Sequence, residues 1–298
     1  FSAGKDVLDE EVKLENLSNI SVIKDICQKF GFSFSHSLGQ NFLINPTVCP
    51  RIAEEGGAGP GVGVLEVGAG FGVLTHELAK RADKVVSVEL DTRLLPVLAY
   101  TLSEHKNVKV VNGDIMKVDL HRLIADEFPG MRVAVCANLP YYITSPVIMR
   151  LLEERLPVEA ITVMVQKEAG DRLTAPMPSR ECGAVTAAVR FYTRPEKLFP
   201  VGRGSFMPAP NVDSCVIRLA VREAPPLSGK AAEDFFRLVK GAFSQRRKTL
   251  QNNLSSSLGI SKGEVAAALT RAGLKPTARA EELSLTEMMA LSGEIFSA

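Results

Sequence analysis

One tetrad in this chain, Asn138-Leu139-Pro140-Tyr141, combines residue types suited to holding an aromatic amine. The asparagine offers a side-chain carbonyl oxygen as an acceptor. Proline fixes its own φ and biases Leu139 toward an extended conformation, so the Leu139 carbonyl has a predictable direction. Those two oxygens could accept both hydrogens of one exocyclic amine, and Tyr141 adds a flat face on which a base could stack. A second tyrosine, Tyr142, follows directly. A proline turn with tyrosines as packing would also account for these residues taken alone, so their meaning depends on what positions them.

The tetrad sits where a strand runs out. Val133–Ala137 is a short, valine-rich apolar run that suits the middle of a covered sheet, and open α/β sheets keep ligands beyond the C-terminal ends of their strands. Upstream, Val64-Leu65-Glu66-Val67 reads as a first strand running into Gly68-Ala69-Gly70-Phe71-Gly72 and then a helix from Val73. Strand, glycine loop and helix make a nucleotide-cofactor geometry, in which missing side chains let a ligand lie on the backbone at the helix N-terminus. The next strand, Val85–Val88, ends in Glu89, about 20 residues beyond the loop, where an acid can hold ribose hydroxyls. A third, Val108–Val111, ends in Asn112-Gly113-Asp114-Ile115. There Asp114 can accept from an adenine amino group while Ile115 packs on the ring; an ordinary Asn-Gly-Asp turn is the simpler alternative.

The glycines at 68, 70 and 72 give G-x-G-x-G, not the G-x-G-x-x-G of dinucleotide sites, and Glu66 stands just before them. A carboxylate near a pyrophosphate would be repelled, whereas beside a sulfonium or an α-ammonium group it is tolerated. S-adenosylmethionine is therefore expected in preference to NAD. Gln40 and Asn41, next to Phe42 and Leu43, could cover such a ligand with amide donors and apolar surface; a loop packed on the sheet explains them nearly as well.

Beyond the fifth strand, Ile161–Val165, the rhythm changes. Ala184–Phe191 and Val212–Val221 are expected to be strands forming a final antiparallel pair, their connection presenting Phe206. Glu223-Ala224-Pro225-Pro226 opens a linker, after which everything reads as helix. Phe235, Val239, Ala242 and Phe243 share one helical face, and Ser261…Glu264 and Ser284…Glu287 have capping-box spacing. Arg246-Arg247-Lys248 gives this tail a basic edge that suits RNA phosphate, or that merely solubilises a helix or pairs with Glu281-Glu282. The expected organisation is an N-terminal helical segment over the cofactor site (1–50), a catalytic domain (51–223) and a helical domain (224–298). The catalytic domain should be α/β, a Rossmann-like, mostly parallel sheet with a final antiparallel strand.

Composition fits this reading and narrows the class. The 298 residues are 46% hydrophobic, enough for a large domain and a small one. No apolar run reaches membrane-spanning length, and Asp6, Asp9, Glu10 and Glu11 stand where a secretory signal would be basic and apolar, so a cytoplasmic protein is expected. Five scattered cysteines without C-x-x-C spacing, and four histidines without ligand spacing, read as reduced thiols with no metal site.

Together these segments resemble the bacterial ribosomal small-subunit RNA adenine dimethyltransferases, whose wider family includes the erythromycin-resistance rRNA methyltransferases. The resemblance runs from about residue 20 to the last helix. It is carried by Leu38-Gly39-Gln40-Asn41-Phe42-Leu43, the Asn138–Tyr141 tetrad, Phe206-x-Pro-x-Pro-x-Val-x-Ser214 and the run Ala242–Leu254 around Arg246-Arg247-Lys248. It implies a class I methyltransferase fold, with S-adenosylmethionine held by Asn41, Leu43, Gly68, Glu89, Asp114 and Asn138. Gln40, Gly70, Leu90 and Ile115 complete the expected cofactor set. It further implies that Asn138, Leu139, Pro140 and Tyr141 hold the target adenine, with Phe206 nearby, and that Arg246, Arg247 and Lys248 dock RNA. The implied reaction is N6-dimethylation of two adjacent adenosines in the 3′-terminal hairpin loop of small-subunit rRNA, by a monomer acting on an immature 30S-type particle. His36, Ala69 and Cys182 depart from the usual pattern. A large-subunit rRNA or DNA adenine methyltransferase, and a non-catalytic assembly or transcription factor, are the alternatives.

Overall fold

A computed structural model describes residues 17–33 and 41–297. The chain divides into two compact units, one running to Gly170 and resuming over Glu196–Val221, the other comprising Asp171–Pro195 and the residues from Arg222 onward.

The first unit opens with α1 (Ile20–Phe30). Asn19 caps it by accepting from the Ser21 N–H at 2.9 Å, and Gly31 ends it at φ 59°. Ile23 and Ile26 face inward. Then follow β1 (Phe42–Leu43), α2 (Val48–Glu55), β2 (Val62–Val67), α3 (Val73–Ala79), β3 (Lys84–Glu89) and α4 (Leu95–Thr101). Next come β4 (Val108–Asn112), α5 (Leu120–Glu127), β5 (Arg132–Asn138), α6 (Thr144–Glu153), β6 (Ala160–Gln166) and α7 (Lys167–Thr174). After α8 (Ala184–Tyr192) the sheet resumes with β7 (Thr193–Val201), the short β8 (Phe206–Met207) and β9 (Ser214–Val221).

Seven strands form one sheet in the order β4-β3-β2-β5-β6-β9-β7. From β4 to β6 all pairings are parallel, and β9 runs antiparallel to β6 with Ser214 opposite Gln166. The order reverses between β2 and β5, the topological switch point at which such sheets open a ligand crevice. Every residue of β2 is buried, as a strand covered on both faces requires. A separate pair, β1 with β8, sets Phe42 opposite Met207 and Leu43 opposite Phe206. It joins the residues after α1 to the Phe-x-Pro-x-Pro segment, reinforced by Ile44 N–H donating to the Ser205 carbonyl at 2.8 Å.

The second unit is helical. Its C-terminal helices are α9 (Gly229–Ala242), α10 (Leu250–Leu258), α11 (Lys262–Arg271) and α12 (Leu285–Phe296). Both anticipated capping boxes form: Glu264 N–H donates to Ser261 Oγ and Glu287 N–H to Ser284 Oγ, each at 3.2 Å, with the glutamates accepting from the serine N–H groups in return. Phe235, Val239 and Ala242 point into the core with Leu254, Leu269 and Met288.

One expectation fails. Ala184–Phe191 is helix α8, not a strand; the strand that completes the sheet is Thr193–Val201. The reason is physical: Thr186, Ala187, Ala188 and Val189 are four consecutive buried residues, one full helical turn, so a short apolar run stands where periodicity cannot tell strand from helix. Its alanines favour helix, and Phe191 stacks on Phe235 with ring centroids 5.0 Å apart. The segment therefore belongs with the C-terminal helices, although it lies within the 51–223 span read as the catalytic domain. Among the described residues no helix is long and apolar enough to cross a membrane.

Candidate active site

The strand ends at the switch point surround one pocket. It is lined by Val67–Phe71, Val73 and Leu74 at the end of β2, by Val88–Asp91 and Leu94 at the end of β3, by Gly113–Ile115 after β4 and by Asn138–Ile143 at the end of β5. Asn41, Phe42, Leu43 and Phe206 complete it from the β1–β8 pair. The structure thus brings together Asn41, Leu43, Gly68, Gly70, Glu89, Leu90, Asp114, Ile115, the whole Asn138–Tyr141 tetrad and Phe206. Gln40, like His36, lies outside the described residues. Arg246, Arg247 and Lys248 belong to the other unit.

The glycine loop needs its glycines. Gly68, Gly70 and Gly72 have φ of 79°, 57° and 86°, a region that side chains disfavour. A Cβ on Gly70 would also come within 3.3 Å of the Phe42 ring. That ring stacks on Phe71 at 4.2 Å and packs edge-on to Phe32, so an aromatic cluster backs the loop. From the other side Glu89 clamps it, with Oε2 accepting from Gly70 N–H at 3.1 Å and Oε1 from Asp91 N–H at 2.8 Å. Burial pushes the Glu89 carboxyl up, against the pull of those N–H groups. Each oxygen retains capacity for a further donor, since a carboxylate has about four acceptor sites.

Glu66 is placed differently from what its position before the loop suggested. It is fully buried and does not line the pocket. Its Oε2 accepts from the Thr75 hydroxyl at 2.6 Å, fastening β2 to α3, while Oε1 has no partner among the described residues. Burial raises its pKa to about 7, offset in part by the Thr75 hydroxyl. Its work is structural, beneath the loop.

Beyond β4, Asp114 turns the chain by accepting from Met116 N–H at 2.9 Å through Oδ1. The turn is held from α6, where Arg150 donates to the carbonyls of Ile115 and Val118. The helix that follows the tetrad is thereby tied to the far wall of the pocket, a link between residues 35 positions apart that no sequence motif announced.

The tetrad closes the pocket. Asn138, the last residue of β5, is half-buried, and its side-chain amide makes no hydrogen bond among the described residues. Leu139 buries its side chain to 2% exposure, fixing the backbone, and its carbonyl likewise takes no donor among the described residues. The Pro140 carbonyl is used instead, accepting from Ile143 N–H at 3.1 Å and the Thr144 hydroxyl at 3.3 Å. Two adjacent acceptors are therefore left free at one wall. Tyr141 is pinned by a 2.9 Å hydrogen bond between its hydroxyl and Ser214 Oγ, and burial pushes its phenol pKa up. Ser214 is fully buried at the start of β9. The sequence offered it only as the last letter of the Phe-x-Pro-x-Pro motif, not as the anchor of the tyrosine ring.

The lining residues test which cofactor fits. They include the acids Glu89, Asp91 and Asp114 and no lysine, arginine or histidine among the described residues. Such a pocket would repel a pyrophosphate and favours a cationic ligand. The open space at Gly68, where a Cβ would meet nothing within 4 Å, leaves room for one to approach the backbone. S-adenosylmethionine, with its sulfonium and α-ammonium groups, matches both features.

The family model for ribosomal RNA adenine dimethylase matches residues 31–296. The ribosomal RNA small subunit methyltransferase A of Geobacillus thermodenitrificans (strain NG80-2) is 47% identical over 276 residues, covering 91% of this chain and 94% of that protein. The protein of the same name from Bacillus mycoides (strain KBAB4) is 46% identical, covering 95% of this chain and 98% of its own length. Among solved structures, the 23S rRNA methyltransferase ErmE has a TM-score of 0.67 at 32% identity, over 86% of this chain and 99% of that one. A dimethyladenosine transferase from Plasmodium falciparum has a TM-score of 0.68 at 26% identity, over 84% and 95%. With the pocket's acidic lining, its glycine loop and its two free acceptors at the tetrad, these matches lead to one conclusion: the chain belongs to the ribosomal RNA adenine dimethylase family, S-adenosylmethionine-dependent methyltransferases of rRNA.

Proposed function

We propose that this enzyme dimethylates N6 of two adjacent adenosines in the 3′-terminal hairpin loop of small-subunit rRNA, acting in the cytoplasm as a monomer on an immature 30S-type particle. The observation that carries the residue-level reading is the pair of free acceptors, Asn138 Oδ1 and the Leu139 carbonyl, beside a pinned tyrosine ring. The small subunit as target is supported by relatives of that name at 46–47% identity, against 32% for the 23S rRNA enzyme.

The adenine N6 lone pair is delocalised into the ring and is a poor nucleophile. Accepting both N–H groups, Asn138 and Leu139 favour a pyramidal nitrogen whose lone pair points away from the ring plane. Tyr141 holds the base by its face, and the Ser214 hydrogen bond fixes the angle of that face. Phe206, buried in the β1–β8 pair opposite Leu43, lines the same pocket. When bound, S-adenosylmethionine supplies a methyl group already activated by its sulfonium leaving group. Glu89 would hold its ribose, Asp114 and Ile115 its adenine, and Asn41, Leu43, Gly68, Gly70 and Leu90 would line the remainder, with Gln40 beside them. No side chain need act as a base, because a methylated N6 ammonium loses its proton readily to water. The Arg246-Arg247-Lys248 loop, exposed in the helical unit, would meet RNA backbone.

A methyl-transfer assay on undermethylated small subunits, with mass spectrometry of the released nucleosides, tests the proposal. N6,N6-dimethyladenosine at two neighbouring positions is the expected product. Preferential methylation of large-subunit RNA or naked DNA would overturn the assignment of substrate.

A further inference from the structure

The fold treats the two tyrosines after Pro140 differently. Tyr141 is half-buried in the pocket and bonded to Ser214. Tyr142 lines the same pocket but is 60% exposed, and its hydroxyl has no hydrogen-bond partner among the described residues. Both lie on the 3₁₀ turn Tyr141–Ile143. At three residues per turn, neighbouring side chains diverge by about 120°, so the rings cannot serve the same base. One ring stands inside and the other at the mouth.

A single exposed apolar side chain is ordinary on a protein surface. Here, however, four large hydrophobic residues are conspicuously exposed among the described residues, and two of them, Leu90 and Tyr142, border this one pocket. An adenine drawn out of its stack leaves its neighbours on the same strand without a stacking partner. Unstacked RNA bases are commonly held on aromatic side chains, tolerantly of sequence because every base has a π-face.

We propose that Tyr142 is a stacking platform for the nucleobase next to the target adenosine, a subsite at the mouth of the methyl-transfer pocket. The inference rests on the reading of the pocket as an RNA adenine site. The subsite captures the strand while the target base sits between Asn138 and Tyr141, so it acts on substrate binding and not on the methyl-transfer step.

Steady-state kinetics on undermethylated small subunits test it with a side-chain series at 142. Tyr142→Ala and Tyr142→Leu should raise KM for the subunit by about five- to a hundred-fold, the range for loss of one base–aromatic stack, with kcat moving far less. Tyr142→Phe and Tyr142→Trp keep a flat ring and should lose much less. Leucine separates stacking from bulk packing, since a merely structural role would be rescued by any apolar side chain of that size. A Tyr142→Ala enzyme with the parent's KM, or a leucine variant as good as phenylalanine, would overturn the subsite while leaving the active-site reading intact. A parent enzyme that leaves the subunits unmethylated would overturn that reading and this inference with it.

Discussion

On the proposed mechanism, Asn138 contributes an acceptor whose value rises as N6 pyramidalises, so its removal should appear in the chemical step. Under single-turnover conditions with saturating subunits and cofactor, Asn138→Ala should lower the rate by about 10²–10³, or roughly 3–4 kcal/mol. Asn138→Asp keeps an oxygen of similar shape and should retain more activity than alanine. A near-normal rate for Asn138→Ala would reduce the tetrad to a turn. Tyr141 acts with Ser214 as a unit, joined by the 2.9 Å hydrogen bond. Tyr141→Phe keeps the ring but strands a buried hydroxyl at Ser214, at a cost of about 1–3 kcal/mol. It should still outperform Tyr141→Ala, which loses the stacking face altogether. Ser214→Ala should loosen base capture in the same way, and the Tyr141→Phe, Ser214→Ala double variant should be no worse than the single ones. Additive losses in KM would show that Ser214 does not act through the tyrosine.

At the scale of elements, the glycine loop is held by two carboxylates with different duties. Glu89 grips it from the pocket side and Glu66 from beneath, through Thr75 of α3. Glu66 gives stability a pH dependence whose sign follows from its burial. Its pKa rises from 4.5 unfolded to about 7 folded. The folded state therefore holds the extra proton, and stability falls as pH rises across that window. His76 works the other way. Burial lowers its pKa from 6.5 to about 4, while its Nδ1 and His105 Nε2 share a 2.6 Å hydrogen bond. Its contribution is complete above pH 6.5 and is lost as pH falls toward 4. The two oppose one another below pH 6.5, and above it the Glu66 slope is free of that opposition. Glu66→Gln keeps an acceptor for Thr75 and removes the charge. Denaturant titrations should show it more stable than the parent at pH 8, by on the order of 3 kcal/mol, with the slope between pH 6.5 and 8 gone. An unchanged slope would mean that Glu66 is ionised throughout.

At the scale of the whole molecule, the pocket proposed for methyl transfer is lined from one unit and the expected RNA-docking charge lies in the other. Arg246, Arg247 and Lys248 are exposed, and among the described residues none forms an ion pair; Arg246 donates to the Arg180 carbonyl at 2.8 Å. Among the described residues no ion pair joins them to Glu281 or Glu282, and Glu282 accepts from Arg279 N–H at 3.0 Å. Changing all three to alanine should weaken subunit binding and flatten the log–log salt dependence by about two, given roughly 0.7 for each phosphate no longer neutralised. Cofactor affinity, measured by calorimetry, should not move. An identical salt slope in variant and parent would assign these charges to solubility.

The linear chain determined what depends on local order. The strand ends, glycine loop, capping boxes and tetrad were all legible, because alternation, caps and turn chemistry act within a few residues. Those same strand ends then fixed the pocket: parallel strands joined by helices must present their C-terminal ends on one side. Tertiary structure alone decided the rest. Ala184–Tyr192 is helix although its central turn, Thr186–Val189, is buried all round, and such a short apolar run gives no period by which to tell helix from strand. Glu66 went beneath the loop instead of into the pocket because Thr75, nine residues on, offered it a hydroxyl. Ser214 met Tyr141 across 73 residues, and Arg150 reached Ile115 across 35. Such long-range partners depend on strand order and register, which no local spacing encodes.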